Sequence, residues 1–138
     1  MASAVLHAAP HSGARSFSPN LPPALARAAL AAKVAADNKG QNVVVLDMRA
    51  VTRLYDYFVI ATGSNPRQTK SIHEEVLGRL KADDRLLPRS TGGMPEATWI
   101  VDDYLDVVLH VFTPETREHY RLEDLWNDVP KLEAAATA

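Results

Sequence analysis

Asp102, Asp103, Asp106 and His110 fall in one otherwise apolar stretch, WIVDDYLDVVLHVF, from Trp99 to Phe112. Carboxylates beside an imidazole are the material of a metal site or of acid–base catalysis. The spacing argues against both. Metal-dependent nucleotidyl transfer sets its carboxylates as D-x-D on a strand, where alternate residues point the same way. Asp102 and Asp103 are adjacent, so they are expected on opposite faces, and Asp106 lies beyond a turn. The run Asp103-Tyr104-Leu105-Asp106 instead predicts a hairpin turn, in which Asp side chains bond nearby backbone N–H groups. His110 sits between Leu109 and Val111, as a packed and hydrogen-bonded strand residue would. Alternation puts Val107, Leu109 and Val111 on one face and Val108, His110 and Phe112 on the other.

Other chemistries find little more. The segment ATGSNPRQ joins a strand to a helix, and such a turn with Arg67 beside it could hold an anion. It lacks G-x-x-x-x-G-K-[ST] and G-x-G-x-x-G. Gly63 is expected to make the turn and Ser64 or Asn65 to cap the helix. His73 and His119 belong to different helices, and His7 and His11 flank Pro10 in an irregular tail. No H-E-x-x-H and no G-x-S-x-G elbow around Ser64 or Ser71 occurs. Without cysteine there is no disulfide, thiolate nucleophile or Cys-ligated metal. The residues therefore predict no catalytic group, no metal and no cofactor.

The elements that must position these side chains can be read from pattern. ALARAALAAKVAADNKG is rich in helix formers, and Gly40 after Asn38-Lys39 suits a helix stop. NVVVLDM and DYFVIATG read as strands covered on both faces. RQTKSIHEEVLGRLKADD is a helix with Ile72, Val76 and Leu80 as its apolar stripe, and Gly78 hints at close packing. RLLPRSTGGMPEA is irregular, with a short edge strand near Pro88. TWIVDDY and DVVLHVF form a hairpin. TPETREHYRLEDLWNDV predicts one continuous helix from N-cap Thr113 to Pro130, with Leu122, Leu125 and Trp126 apolar. The order implies an α/β (α+β) fold: a small mixed β-sheet of about five strands with helices packed on it.

The 138 residues suffice for one domain, placed at residues 24–138, behind a Pro/Ser/Ala-rich tail at residues 1–23 expected to be disordered or extended. A net charge of −2 argues against binding nucleic acid by bulk electrostatics. No apolar run is long enough to span a bilayer, and the cysteine-free composition fits the cytoplasm. Trp99 and Tyr104 flank the hairpin, where exposed rings serve as protein-partner anchors.

Three motifs taken in order, DYFVIATGSNPRQ, WIVDDYLDVVLHVF and REHYRLEDLW, resemble the ribosomal silencing factor family (RsfS, also called Iojap) across roughly Ala24 to Val129. The resemblance implies a nucleotidyltransferase-like shape without the acidic catalytic site, and a translation repressor instead of an enzyme. It implies binding to the large ribosomal subunit through ribosomal protein L-fourteen, a steric block to joining of the small subunit, and a homodimer off the ribosome. By the same resemblance Trp99, Asp103 and Asp106 match the family's hairpin residues and Arg67 and Gln68 its turn. With the turn residues Tyr104 and Leu105 added from their place at the hairpin, these are the expected partner-facing set, Arg67 and Gln68 at the rim. His110, Arg117, Tyr120 and Trp126 also match family positions. The family's D-x-G-D turn departs here: Leu105 replaces the glycine, which strains the turn if that position needs a positive φ. The alternatives are a nucleotidyltransferase-like enzyme built on Gly63, Ser64 and the aspartates, or a scaffold domain with another protein partner.

Overall fold

The computed structural model describes residues 22–133, so the expectation for residues 1–21 falls outside it. Helix α1 spans Pro23–Asp37. It starts inside the stretch assigned to the tail, because proline at a first helical position gives up no intrahelical bond. Its sheet-facing side is largely alanine, with Ala28, Ala31, Ala32 and Ala35 buried. Small side chains let the helix axis approach the sheet closely. The residue with left-handed backbone at its end is Lys39 (φ 70°), not Gly40. Gly40 is needed for another reason: a Cβ there would lie 2.5 Å from the Ala35 carbonyl oxygen.

Strands β1 (Gln41–Asp47) and β2 (Tyr57–Thr62) follow, then helix α2 (Pro66–Asp84). Ile72, Val76 and Leu80 of α2 are at most 1% exposed, as their spacing predicts. Gly78 faces open space, so it marks no close packing. The short strand β3 is Ser90–Gly92, just past Pro88. β4 (Trp99–Asp103) and β5 (Val107–Phe112) form the hairpin.

The continuous helix expected after Thr113 is broken. Helix α3 covers only Pro114–Tyr120, Arg121 turns left-handed (φ 46°), and a 3₁₀ turn runs from Leu122 to Trp126. Leu125 is 69% exposed instead of forming an apolar contact. The cause is a long-range clamp described below. Beyond Pro130, Lys131–Glu133 forms β6, a sixth strand that the pattern did not show.

The sheet order is β3-β4-β5-β2-β1-β6. β2 and β5 are parallel, with Tyr57 opposite Val107 and Thr62 opposite Phe112, and the other pairs are antiparallel. A mixed sheet with helices is the expected class, with six strands in place of five. Helices α1 and α2 cover one face, where Val59, Ile100, Leu109 and Val111 are fully buried. Each such side chain contributes roughly 1.5–3 kcal/mol by leaving water. The other face gathers Leu46, Phe58, Ile60, Val108 and Phe112. Among the described residues Met48 and the C-terminal Leu122, Trp126 and Val129 pack on it, with Trp99, Val101 and Tyr55 against it. No described helix is long and apolar enough to cross a membrane.

Candidate partner-binding face

Alternation along β4 sends Trp99 and Val101 to the face opposite the helices and Ile100 and Asp102 to the helix-covered one. Trp99 is half-buried. Its ring stacks on Phe112 at 4.9 Å between centroids, and Tyr120 from α3 lies 4.9 Å from it. Its indole N–H donates to Nδ1 of His110 at 3.1 Å. His110 is held in turn by Phe58, whose ring meets it edge to face at 4.7 Å, and Tyr55 stacks on Phe58 at 4.8 Å. Since Nδ1 accepts, the neutral tautomer carries its proton on Nε2. That N–H is buried without a partner among the described residues. Burial alone pushes the imidazole pKa down to about 4. The result is an aromatic platform with Tyr120 as its most open ring, 54% exposed.

On the opposite face Asp102 is wholly buried. Its Oδ2 lies 2.6 Å from Nδ1 of His73 on α2, and its Oδ1 accepts from the Thr91 hydroxyl at 2.6 Å. The carboxylate raises the His73 pKa above its usual value. This group ties α2, β4 and β3 together. Tyr104 shares that face and is 2% exposed, so its assignment to a partner surface is corrected. The pleat turns its ring under the helices. Burial raises its phenol pKa, and its hydroxyl has no partner among the described residues.

The turn is built as its sequence predicts. Asp103 Oδ1 accepts from the Leu105 backbone N–H at 2.8 Å, and Oδ2 accepts from Arg89 at 3.1 Å. Asp106 accepts from Arg27 of α1 at 2.8 Å. Its carbonyl receives the N–H groups of Asp56 and Tyr57. Leu105 takes φ 83° and is 56% exposed, so the glycine missing here does correspond to a left-handed position. Trp99 and Leu105 are six residues apart along an extended strand and turn, roughly 20 Å. The surface expected from the sequence is therefore two zones at opposite ends of one hairpin.

The Gly63 turn is occupied by the chain itself. Asn65 caps α2 by accepting from the Gln68 N–H at 2.9 Å. Gln68 then donates its side-chain amide to the Asn38 carbonyl at 2.7 Å, linking α2 to the end of α1. A Cβ on Gly63 would lie 2.8 Å from the Thr69 nitrogen, so close approach explains the glycine. Arg67 is exposed. Gly63 N–H donates to Phe112 and Thr113 N–H to Thr98, which places Arg67 and Trp99 at the same end of the sheet.

At that end Arg117 makes the clamp that breaks the expected helix. Its guanidinium donates to Glu123, to the Asn42 carbonyl at 2.9 Å and to the Thr62 hydroxyl at 2.8 Å. Glu123 can reach it only if the chain reverses at Arg121. A cleft of about 380 Å³ beside it is lined by Gln41, Asn42, Arg117 and Arg121 among others. Its charges are paired internally, Arg117 with Glu123 and Arg121 with Glu118 and Asp124. Among the described residues no three metal-binding side chains converge. Sequence reasoning missed Phe58 and the His73–Asp102 pair. Alternation places Phe112 with His110, but no local signal joins His73 to Asp102.

Comparison with known proteins agrees with this geometry. Residues 22–138 match the family described as "Ribosomal silencing factor during starvation". The ribosomal silencing factor RsfS of Bacillus subtilis is 34% identical over 102 residues, covering 73% of this chain and 85% of that protein. The chloroplastic protein Iojap of Arabidopsis thaliana is 31% identical over 109 residues, covering 79% of this chain and 45% of that one. A crystal structure from Chromobacterium violaceum superposes with a TM-score of 0.72 at 31% identity, covering 75% and 86% of the two chains. One from Bacillus halodurans gives 0.64 at 32% identity, covering 75% and 93%. This chain belongs to the ribosomal silencing factor family.

Proposed function

We propose that this protein represses translation by binding the large ribosomal subunit, through ribosomal protein L-fourteen, and excluding the small subunit. Its mechanism is occlusion: whatever occupies one side of an interface removes it from the joining equilibrium by mass action. The observation that carries the reading is the partly exposed Trp99, stacked on Phe112, packed against Tyr120 and hydrogen-bonded to His110. A rigid aromatic at a sheet margin is the usual form of an interface anchor. Arg67 stands at that end as a polar rim contact. Gln68, engaged with Asn38, shapes that rim. Leu105, with Asp103 and Asp106 behind it, forms a second contact zone at the hairpin tip. A net charge of −2 suits docking on a basic ribosomal protein.

The reading includes no chemical step. Asp102 and Asp103 diverge, and both already hold partners. We place the protein in the cytoplasm, as a single domain behind its N-terminal tail and a homodimer when off the ribosome. Co-sedimentation with purified bacterial large subunits tests the reading. Trp99→Ala should weaken binding by ~1–2 kcal/mol or more, about tenfold, with the fold retained. Sucrose-gradient profiles should show more unjoined subunits when the wild type is added. Unaltered profiles would remove the ribosome from the account.

A further inference from the structure

We infer that His110 is a positioning residue for Trp99, fixing the indole in the orientation that the partner meets. The inference rests on the ribosomal reading of this face. Trp99 is partly exposed at the sheet margin, and its N–H is turned inward onto the histidine. What His110 adds is direction: an acceptor 3.1 Å away on a closely packed ring. That ring is 6% exposed and wedged between Phe58 and Phe112. Burial keeps it neutral well below ordinary pH, with its pKa at about 4, so Nδ1 remains an acceptor.

The arrangement has a cost. Among the described residues the buried Nε2 proton has no partner, a cost that an apolar residue of similar size would avoid. A residue chosen for packing alone would be Phe or Leu. The feature that neither can supply is the acceptor. An indole ordered before docking loses less rotamer entropy on binding, which favours the complex.

Three chains separate orientation from packing: wild type, His110→Phe, which fills the volume without an acceptor, and His110→Asn, which sets an acceptor near Nδ1 but leaves a void. Binding is read by pelleting with purified bacterial large ribosomal subunits. Orientation is read from the Trp99 indole N–H resonance, assigned with Trp126→Phe. His110→Phe should keep its thermal midpoint and bind roughly three- to tenfold more weakly. Its indole signal should move toward that of solvent-exposed tryptophan. His110→Asn should melt lower yet bind within about twofold of wild type, a reversal that packing alone does not produce. If His110→Phe is unfolded by circular dichroism, His110→Leu takes its place. Equal pelleting of wild type and His110→Phe, or a His110→Asn no better than His110→Phe, overturns the inference alone. Failure of the wild type to pellet overturns the ribosomal reading and this inference together.

Discussion

Asp102 and Asp103 are neighbours in sequence and leave β4 toward opposite faces. Asp102 is sealed beneath α2 against His73 and Thr91, while Asp103 sits at the turn, bonded to Leu105 and Arg89. Two carboxylates so disposed cannot converge on one ion. One becomes a structural tie and the other a turn builder, and the sheet is left to act as a surface.

Leu105 is held at φ 83° with its side chain 56% exposed. A left-handed leucine carries strain of ~1–2 kcal/mol, and glycine costs roughly 0.5–1 kcal/mol in unfolded-state entropy. Leu105→Gly should therefore stabilise the fold by about 0.5–1 kcal/mol, read as a higher urea midpoint at unchanged slope. A lower midpoint would show that the turn is unstrained. The same variant tests the hairpin tip: weaker pelleting with large subunits is expected if the exposed leucine is a contact.

Arg117 serves Glu123, Asn42 and Thr62 with a side chain only 12% exposed. Arg117→Ala strands a half-buried carboxylate and a hydroxyl, and should cost about 2–4 kcal/mol in chemical denaturation. Arg117→Lys should recover little, because an ammonium cannot reproduce the planar fork. A lysine variant as stable as wild type would show that charge alone holds the segment.

Two histidines bend the pH dependence of stability in opposite directions. Hydrogen bonding to Asp102 raises the His73 pKa above 6.5. Its contribution is complete below pH 6.5 and fades as pH climbs through the raised folded value. Burial lowers His110 from 6.5 to about 4. The unfolded chain then takes up that proton first, so stability falls as pH drops from 6.5 toward 4, by roughly 3 kcal/mol in all. Denaturant midpoints measured from pH 4.5 to 9 should peak near 6.5. His73→Gln should flatten the alkaline limb and His110→Phe the acid limb. An acid limb unchanged in His110→Phe would reassign it to the carboxylates.

Much of this molecule is written locally. The alternation Val107-Val108-Leu109-His110-Val111-Phe112 sorts itself onto two faces as its period dictates. Asn65 caps α2, Asp103 makes its turn, and Ile72, Val76 and Leu80 line one stripe. Each of these depends on residues within a turn or a few strand positions, so the sequence by itself determined them. Tertiary structure alone decided the parallel pairing of β2 with β5, the union of His73 with Asp102, and the reach of Arg117 to Thr62. Those partners are far apart in the chain, and no local propensity encodes which distant groups will meet. The same reason hid Tyr104 and divided the expected surface. A residue's exposure is set by what packs over it, and here helices α1 and α2 seal one side of the hairpin while the other side keeps Trp99 and Val101 partly exposed at its margin.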